Sequence, residues 1–480
     1  MRRAALGLLL AGCGSSGVFV EPVVDKPDPA DVDATAIGLD GFALSVAHAG
    51  SEQDIASLSF APGDSPELAD IPFADDLVIH LSGLIGGSEV AYGRTCTFGI
   101  TARFVPEPHL LFSRVVKFAK LPFEAEPRIG GCAVTYHDGS AVLLGGTSDG
   151  AGIANATVER FDPRTGTQAP LPSLMPRIGA VAATLGTGST ARIAVIGGQL
   201  GASGAGIVEL IEADNDRVDS IQDTELAMAR IELTATALTD GRIVVIGGRP
   251  PGAGPVAPSG AIAEITDDAS MPDIRELRTT ALAHARAGHT ATRLGDDVGA
   301  PVLIVGGLDA TNKPVAEAEL FRPLSGDIAT AFHPAMITAR TRHEARLMPD
   351  GSVLIIGGLD ATGAPVRALE RFTIDSGFVP AGELPATAGL VDFTATTLPD
   401  GRILLAGGRA APGAAALDTA FIARLDVVDG TVDVVATDNL AAPRAGHQAT
   451  VMCDGTVLVA GGTATTSALE RYNPPPLGRR

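Results

Sequence analysis

Two kinds of side chain in this sequence recur at spacings that could carry chemistry. Arg128, Arg177, Arg230, Arg286, Arg340 and Arg444 each stand three residues before a second recurring position, held by Gly131, Ala180, Leu233, His289, His343 and His447. Leu390 takes the arginine's place once. Guanidiniums gathered on one mouth of a repeating fold would grip carboxylates or acidic peptide segments through charge-assisted hydrogen bonds. The other reading is internal, with each guanidinium bonding carbonyls of an adjoining unit, and repetition at a fixed place favours it. The three histidines invite a metal, but they belong to three different units. Converging on one ion at about 2 Å is a poor fit to that arrangement, so no metal is expected and satisfied strand-entry histidines are the simpler reading.

Other candidates are weaker. Asp214, Asp216, Asp219, Asp223 and Glu225 resemble a calcium loop only superficially, because Asp219 stands where such a loop turns on glycine. No His-Glu-x-x-His, Gly-x-Ser-x-Gly, P-loop or dinucleotide fingerprint occurs in context. The formal charge of −21 argues against nucleic acid and against charge-driven binding to anionic lipid. With no Trp, three Tyr and 16 Phe, sites built on stacked rings have little to work with.

The elements that must position these residues follow from a period. Apolar runs ending in Gly-Gly recur at Gly145-Gly146, Gly197-Gly198, Gly247-Gly248, Gly306-Gly307, Gly357-Gly358, Gly407-Gly408 and Gly461-Gly462. The intervals are 52, 50, 59, 51, 50 and 54 residues, the 59 being stretched by an insertion around Gly295 to Pro301. Asp-Gly precedes the run in five units (138–139, 240–241, 350–351, 400–401 and 454–455), as expected of a hairpin turn needing positive φ. The runs are continuously apolar, which predicts strands buried on both faces. Each arginine falls at the entry to the innermost strand. Third strands are read at Val158 to Phe161, Ala318 to Phe321, Leu369 to Phe372 and Leu469 to Tyr472.

These residues resemble kelch repeats, including those of galactose-oxidase-like propellers, over roughly residues 115 to 475. The resemblance implies a seven-bladed β-propeller whose variable loops, Leu308 to Thr311 and Leu359 to Thr362 among them, share a face with the arginines. The usual fourth-strand Trp is missing throughout, and the third-strand Tyr is mostly Phe. Galactose-oxidase chemistry needs a Tyr cross-linked to Cys, a second Tyr and two His. Only Tyr92, Tyr136 and Tyr472 are present, so the copper enzyme is disfavoured and no cofactor is expected.

The last unit lacks a fourth strand, and Val115 to Ala119 is expected to supply it against Ala468 to Tyr472, pairing otherwise open edges. Before it, alternating stretches at Gly41 to Ala47, Leu77 to Ser82 and Glu89 to Ile100 suggest a small immunoglobulin-like β-sandwich over 34–110. At the start, Arg2-Arg3, a short apolar run and Leu10-Ala11-Gly12-Cys13 resemble the signal and lipobox of bacterial lipoproteins. That implies removal of residues 1–12, lipidation at Cys13 and a flexible tether from 13 to 33. Of Cys96, Cys132 and Cys453 at least one must be unpaired; a Cys96–Cys132 bridge is one option, and Cys132 as a small buried residue at a strand start is another.

The expected architecture is all-β: a seven-bladed kelch-type propeller (111–480) preceded by a small immunoglobulin-like sandwich. The expected role is a lipid-anchored protein of a bacterial envelope, at the outer membrane or cell surface. It would bind a protein or envelope polymer rather than nucleic acid, and without catalysis. The alternative is an enzyme acting on carbohydrate or another small molecule at a propeller mouth.

Overall fold

The computed structural model describes residues 17–476 apart from 32–37, 52, 65, 67–70, 149–151, 202, 205, 223–229, 253–260, 269–272, 330–333 and 463–467. Cys13 and the leader lie outside the described residues. Among those residues the chain is all-β except for one 3-10 turn, Gly188–Thr190.

Its larger part is a set of four-stranded antiparallel sheets, with the strands in chain order from inside to outside in all but the last, whose outermost strand comes from the start of this part. The fifth sheet shows the pattern, with Glu344–Leu347, Val353–Ile356, Ala368–Thr373 and Gly377–Glu383 hydrogen-bonded in succession. Seven such sheets occur among the described residues, the second carrying an extra ribbon at Ser203–Gly204. Their innermost strands touch in cyclic order, and Cys132–Thr135 of the first contacts Gln448–Val451 of the last.

The continuous apolar runs are the second strands. Val353–Ile356, Ile403–Ala406 and Val457–Ala460 are buried along their whole length. Alternation explains it. Leu354 and Ile356 enter a core shared with the sixth sheet, while Val353 and Ile355 enter one shared with the fourth. Each such side chain contributes roughly 1.5–3 kcal/mol of burial, and no face is left for a polar residue.

The Asp-Gly turns have the expected left-handed glycine, with φ of 80°, 81° and 81° at Gly351, Gly401 and Gly455. At the double glycine two constraints coincide. Gly306 and Gly307 have φ of 67° and 84°. A Cβ on Gly306 would stand 2.5 Å from the Arg340 carbonyl oxygen and from His343 Cε1 of the next sheet. A Cβ on Gly307 would stand 2.8 Å from the Ala287 carbonyl oxygen.

The closing strand is Lys117–Glu124, beginning two residues later than the sequence suggested and running further. It pairs with Ala468–Asn473, setting Phe118 opposite Tyr472 with ring centroids 5.0 Å apart.

The N-terminal part is built on a sheet ordered Ser113–Arg114, Ser88–Arg94, Ala74–Ile85, Gly41–His48 and Asp54–Phe60, with Phe98–Ile100 also on Ala74–Ile85. Asp54–Phe60 had no sequence counterpart. The stretch expected as a tether is docked from its strands onward. Gly17–Val18 pairs with Ile71–Pro72, Val23–Asp25 runs parallel to His109–Leu111, and the Asp28 amide donates to the Lys120 carbonyl at 2.8 Å. Val20, at 2% exposure, belongs to the N-terminal core, so this segment carries apolar side chains that a free linker would not bury.

The disulfide is Cys96–Cys453, not Cys96–Cys132, and it ties the N-terminal sheet to the last Asp-Gly turn across 357 residues. Cys132 is free and half-buried on the innermost strand. Burial pushes its thiol up to about 11, and it donates to the Ala180 carbonyl.

Candidate functional site

The six repeated arginines do not present charge at a mouth. They are between 0% and 5% exposed and point into their own sheets. Arg286 shows the pattern: Nη2 donates to Glu319 at 2.7 Å, and Nη1 donates to the carbonyls of Gly306 at 3.2 Å and Glu317 at 3.0 Å. Arg128 meets Glu159 at 2.6 Å and Arg444 meets Glu470 at 2.7 Å. Arg177 pairs with Glu209, and Arg340 with Glu370. Arg230 donates to the Gly247 carbonyl, while Ala263 stands where the other sheets place their glutamate.

Those glutamates occupy one register position, opposite Leu143, Val195, Ile304, Ile355 and Val459 of the second strands. Their carboxylates also accept amides of the segment leading into the sheet. Glu370 takes Ile337 and Thr338 at 2.8 and 3.0 Å, and Glu319 takes Ala283 and His284 at 2.7 and 3.1 Å. Each pair therefore pins the incoming connection to the third strand. Arg286, Arg340 and Arg444 also donate from Nε, so these pairs keep most of their Coulombic gain, whereas Arg128 and Arg177 leave Nε buried without an acceptor. Burial lowers the affinity of Arg286 and Arg340 for their protons, and the facing carboxylates act in the other direction.

The three histidines lie in separate seams between sheets. The Nε2 of His289, His343 and His447 meets Thr234, Thr290 and Thr394 of the preceding sheet at 3.0, 2.9 and 2.8 Å. Burial, reinforced by the neighbouring arginine, holds all three down at about 3. Each ring packs on the first glycine of the preceding sheet's pair with Nδ1 sealed and unpartnered. Phe393 fills the same place in the sixth sheet, its ring 2.8 Å from a Cβ built on Gly357.

Loops and arginines do share a face. Bridges join Ala287 to Leu308 and Thr341 to Leu359, so the residue after each arginine pairs with the residue after each double glycine. The two near-identical loops are closed alike. Asp309 accepts the amides of Thr311 and Lys313, Asp360 those of Thr362 and Ala364, and these bonds hold both carboxyls below the usual range.

Two concavities are lined by described residues. One, of about 350 Å3, opens among innermost strands and is lined by Thr236, Thr292, Arg293, Asp296, Arg346 and Thr397. Its arginines staple neighbouring strands: Arg293 donates to the Ala237 carbonyl at 2.9 Å and Arg346 to the Ala395 carbonyl at 2.7 Å. The second, of about 430 Å3, lies between the N-terminal sheet and the sixth and seventh sheets. Sequence reading overlooked it, although the alternation of Tyr92, Arg94 and Cys96 already set those side chains on one face.

Residues 128–175 match the kelch motif. A solved fungal alcohol oxidase of the AA5 family, in complex with copper, is similar over 74% of this chain and 76% of its own, with a TM-score of 0.52 and 16% identity. No curated protein matches the sequence. The shared property is the fold, a kelch-type β-propeller. The residues here do not fit a copper–tyrosyl centre. Tyr92 lies in the N-terminal sheet, Tyr136 after the first innermost strand, and Tyr472 under Phe118 in the seventh sheet. Cys96 and Cys453 are bonded to each other, the histidines are spent in separate seams, and no group of three His, Cys, Asp or Glu converges among the described residues.

Proposed function

We propose that this chain is a lipid-anchored bacterial envelope protein whose seven-bladed propeller, preceded by an immunoglobulin-like unit, binds a protein or envelope polymer through its loop face without catalysis. The observation that carries this reading is where the recurring ionisable groups go. Five arginines are spent on third-strand glutamates and three histidines on neighbouring threonines, so the constant positions serve the scaffold. What differs between most units is the loop after the double glycine, the fourth and fifth sheets sharing one loop design, and exposed loops on a rigid frame are where recognition concentrates.

The anchor rests on Leu10-Ala11-Gly12-Cys13. Labelling cells with a palmitate analogue should mark the wild type and not Cys13→Ala; equal labelling of both removes the anchor. For binding, a soluble form beginning at Gly14 keeps the docked segment 17–31. Replacing 309–313 and 360–364 by Gly-Ser linkers should abolish saturable capture of the partner while leaving the circular dichroism unchanged. Capture that survives both replacements would end the loop-face reading.

A further inference from the structure

The cleft between the N-terminal sheet and the sixth and seventh sheets holds an arginine whose charge the fold does not use. Its floor follows from the ladder: His80 lies opposite Arg94 and Ser82 opposite Tyr92, so Val78, His80, Tyr92 and Arg94 share one face. The turns at Pro399-Asp400 and Asp454-Gly455, with Pro474, Pro475 and Pro476, form the other wall. Most polar groups of the lining have partners. His48 meets Asp76 at 2.7 Å, His80 Nδ1 meets the Tyr92 hydroxyl at 2.5 Å, Asp400 pairs with Arg402 and Asp454 with Arg471.

Arg94 is different. It is half-buried and makes no ion pair among the described residues, and its Nε, like those of Arg128 and Arg177, is sealed from solvent with no acceptor. Arg128, Arg177, Arg286, Arg340 and Arg444 all have a carboxylate. A guanidinium kept partly out of water without a counter-charge is costly, and an anion delivered to its planar fork relieves that cost.

We propose that this cleft binds a small organic monocarboxylate, its carboxylate on Arg94 and its apolar body against Val78 and the prolines. The single charge matches one uncompensated guanidinium. Asp400 and Asp454 on the facing wall are already paired with arginines, so a second negative charge would find no free counter-charge there, which disfavours phosphate and dicarboxylates. This site is independent of the loop face.

The test uses the mature protein with its disulfide intact and benzoate as probe, read by saturation-transfer NMR and by thermal unfolding. Benzoate should bind saturably and raise the unfolding midpoint, whereas benzamide and inorganic phosphate should bind about tenfold more weakly or worse. Arg94→Gln should lose at least about tenfold in benzoate affinity, Arg94→Lys less, and Arg114→Gln, on an exposed position of the same sheet, nothing. Circular dichroism and detection of the Cys96–Cys453 bridge by mass spectrometry report folding. Equal binding of benzamide and benzoate, unchanged affinity in a folded Arg94→Gln, or no saturable benzoate binding would each overturn the proposal. If Arg94→Gln does not fold, the benzoate–benzamide comparison on the wild type decides.

Discussion

Leu390 and Phe421 hold, in the sixth sheet, the two positions that Arg340 and Glu370 hold in the fifth, and both pack in one apolar core. Phe421 lies opposite Leu405 as Glu370 lies opposite Ile355. Here both charges are lost together, whereas the third sheet keeps Arg230 with Ala263 at the glutamate position. The chain thus contains its own control for the arginine–glutamate pairs, and it shows that a hydrophobic pair can replace one.

That relationship predicts strong coupling. Glu370→Ala leaves Arg340 buried and unpaired and should cost about 3–5 kcal/mol in denaturant unfolding. Transplanting the sixth-sheet solution as Arg340→Leu with Glu370→Phe should recover most of that loss. Additive losses in the double variant would show that the two residues do not act as a pair.

The histidines predict a pH dependence with a definite sign. His289, His343 and His447 stay neutral in the folded protein down to about 3, while in the unfolded chain they protonate near 6.5. Between those values the unfolded state binds more protons, so their contribution is fully present above about 6.5 and is lost as pH falls towards 3. Each can contribute a slope of up to about 1.4 kcal/mol per pH unit. Replacing all three by Phe, the residue already at 393, should flatten the unfolding midpoint between pH 6.5 and 4. An unchanged slope would contradict the assignment.

The disulfide predicts a domain-level effect. Cys453→Ser removes a link closing a 357-residue separation, worth about 6 kcal/mol by chain entropy. Limited proteolysis should then cut between the N-terminal sheet and residue 117 much faster than in the oxidised wild type, with the propeller surviving as a fragment. Equal cutting rates would mean that the remaining contacts, such as Asn473 Nδ2 to the Tyr92 carbonyl at 2.8 Å, suffice.

The double glycines predict an intolerance to the smallest side chain. Gly306→Ala would drive a methyl into His343 and the Arg340 carbonyl at a positive φ, and should destabilise by roughly 2–4 kcal/mol in chemical unfolding. Gly351→Ala, where a Cβ meets nothing within 4 Å, should cost only its backbone strain of about 1 kcal/mol. Equal losses at the two sites would remove packing from the explanation.

Much of the propeller was legible because repetition makes local signals redundant. Asp-Gly, a four-residue apolar run and Gly-Gly place the first hairpin of a sheet, and the missing outer strand after Tyr472 points to a strand upstream of the first unit. The arginines were visible for the same reason and an internal role was favoured, but the partners were not legible: each of five meets a glutamate and carbonyls of its own sheet rather than carbonyls of an adjoining one. Each partner lies 26 to 33 residues away on a third strand, where its glutamate reads as ordinary alternation. The joint absence at Leu390 and Phe421 was the available signal. Contacts between units were harder still. The Thr394–His447 bond spans 53 residues and the Cys96–Cys453 link 357, and neither leaves a local pattern. Arg94 was hidden because its interest lies in lacking a partner, which only packing reveals.

The central claim, that constant positions build the scaffold while loops recognise, is tested most directly by partner capture measured on two variants side by side. Arg340→Leu with Glu370→Phe should capture the partner with wild-type affinity, and the linker replacements at 309–313 and 360–364 should lose it. Loss of capture in the folded arginine–glutamate variant, with retention in the loop variant, would contradict the account.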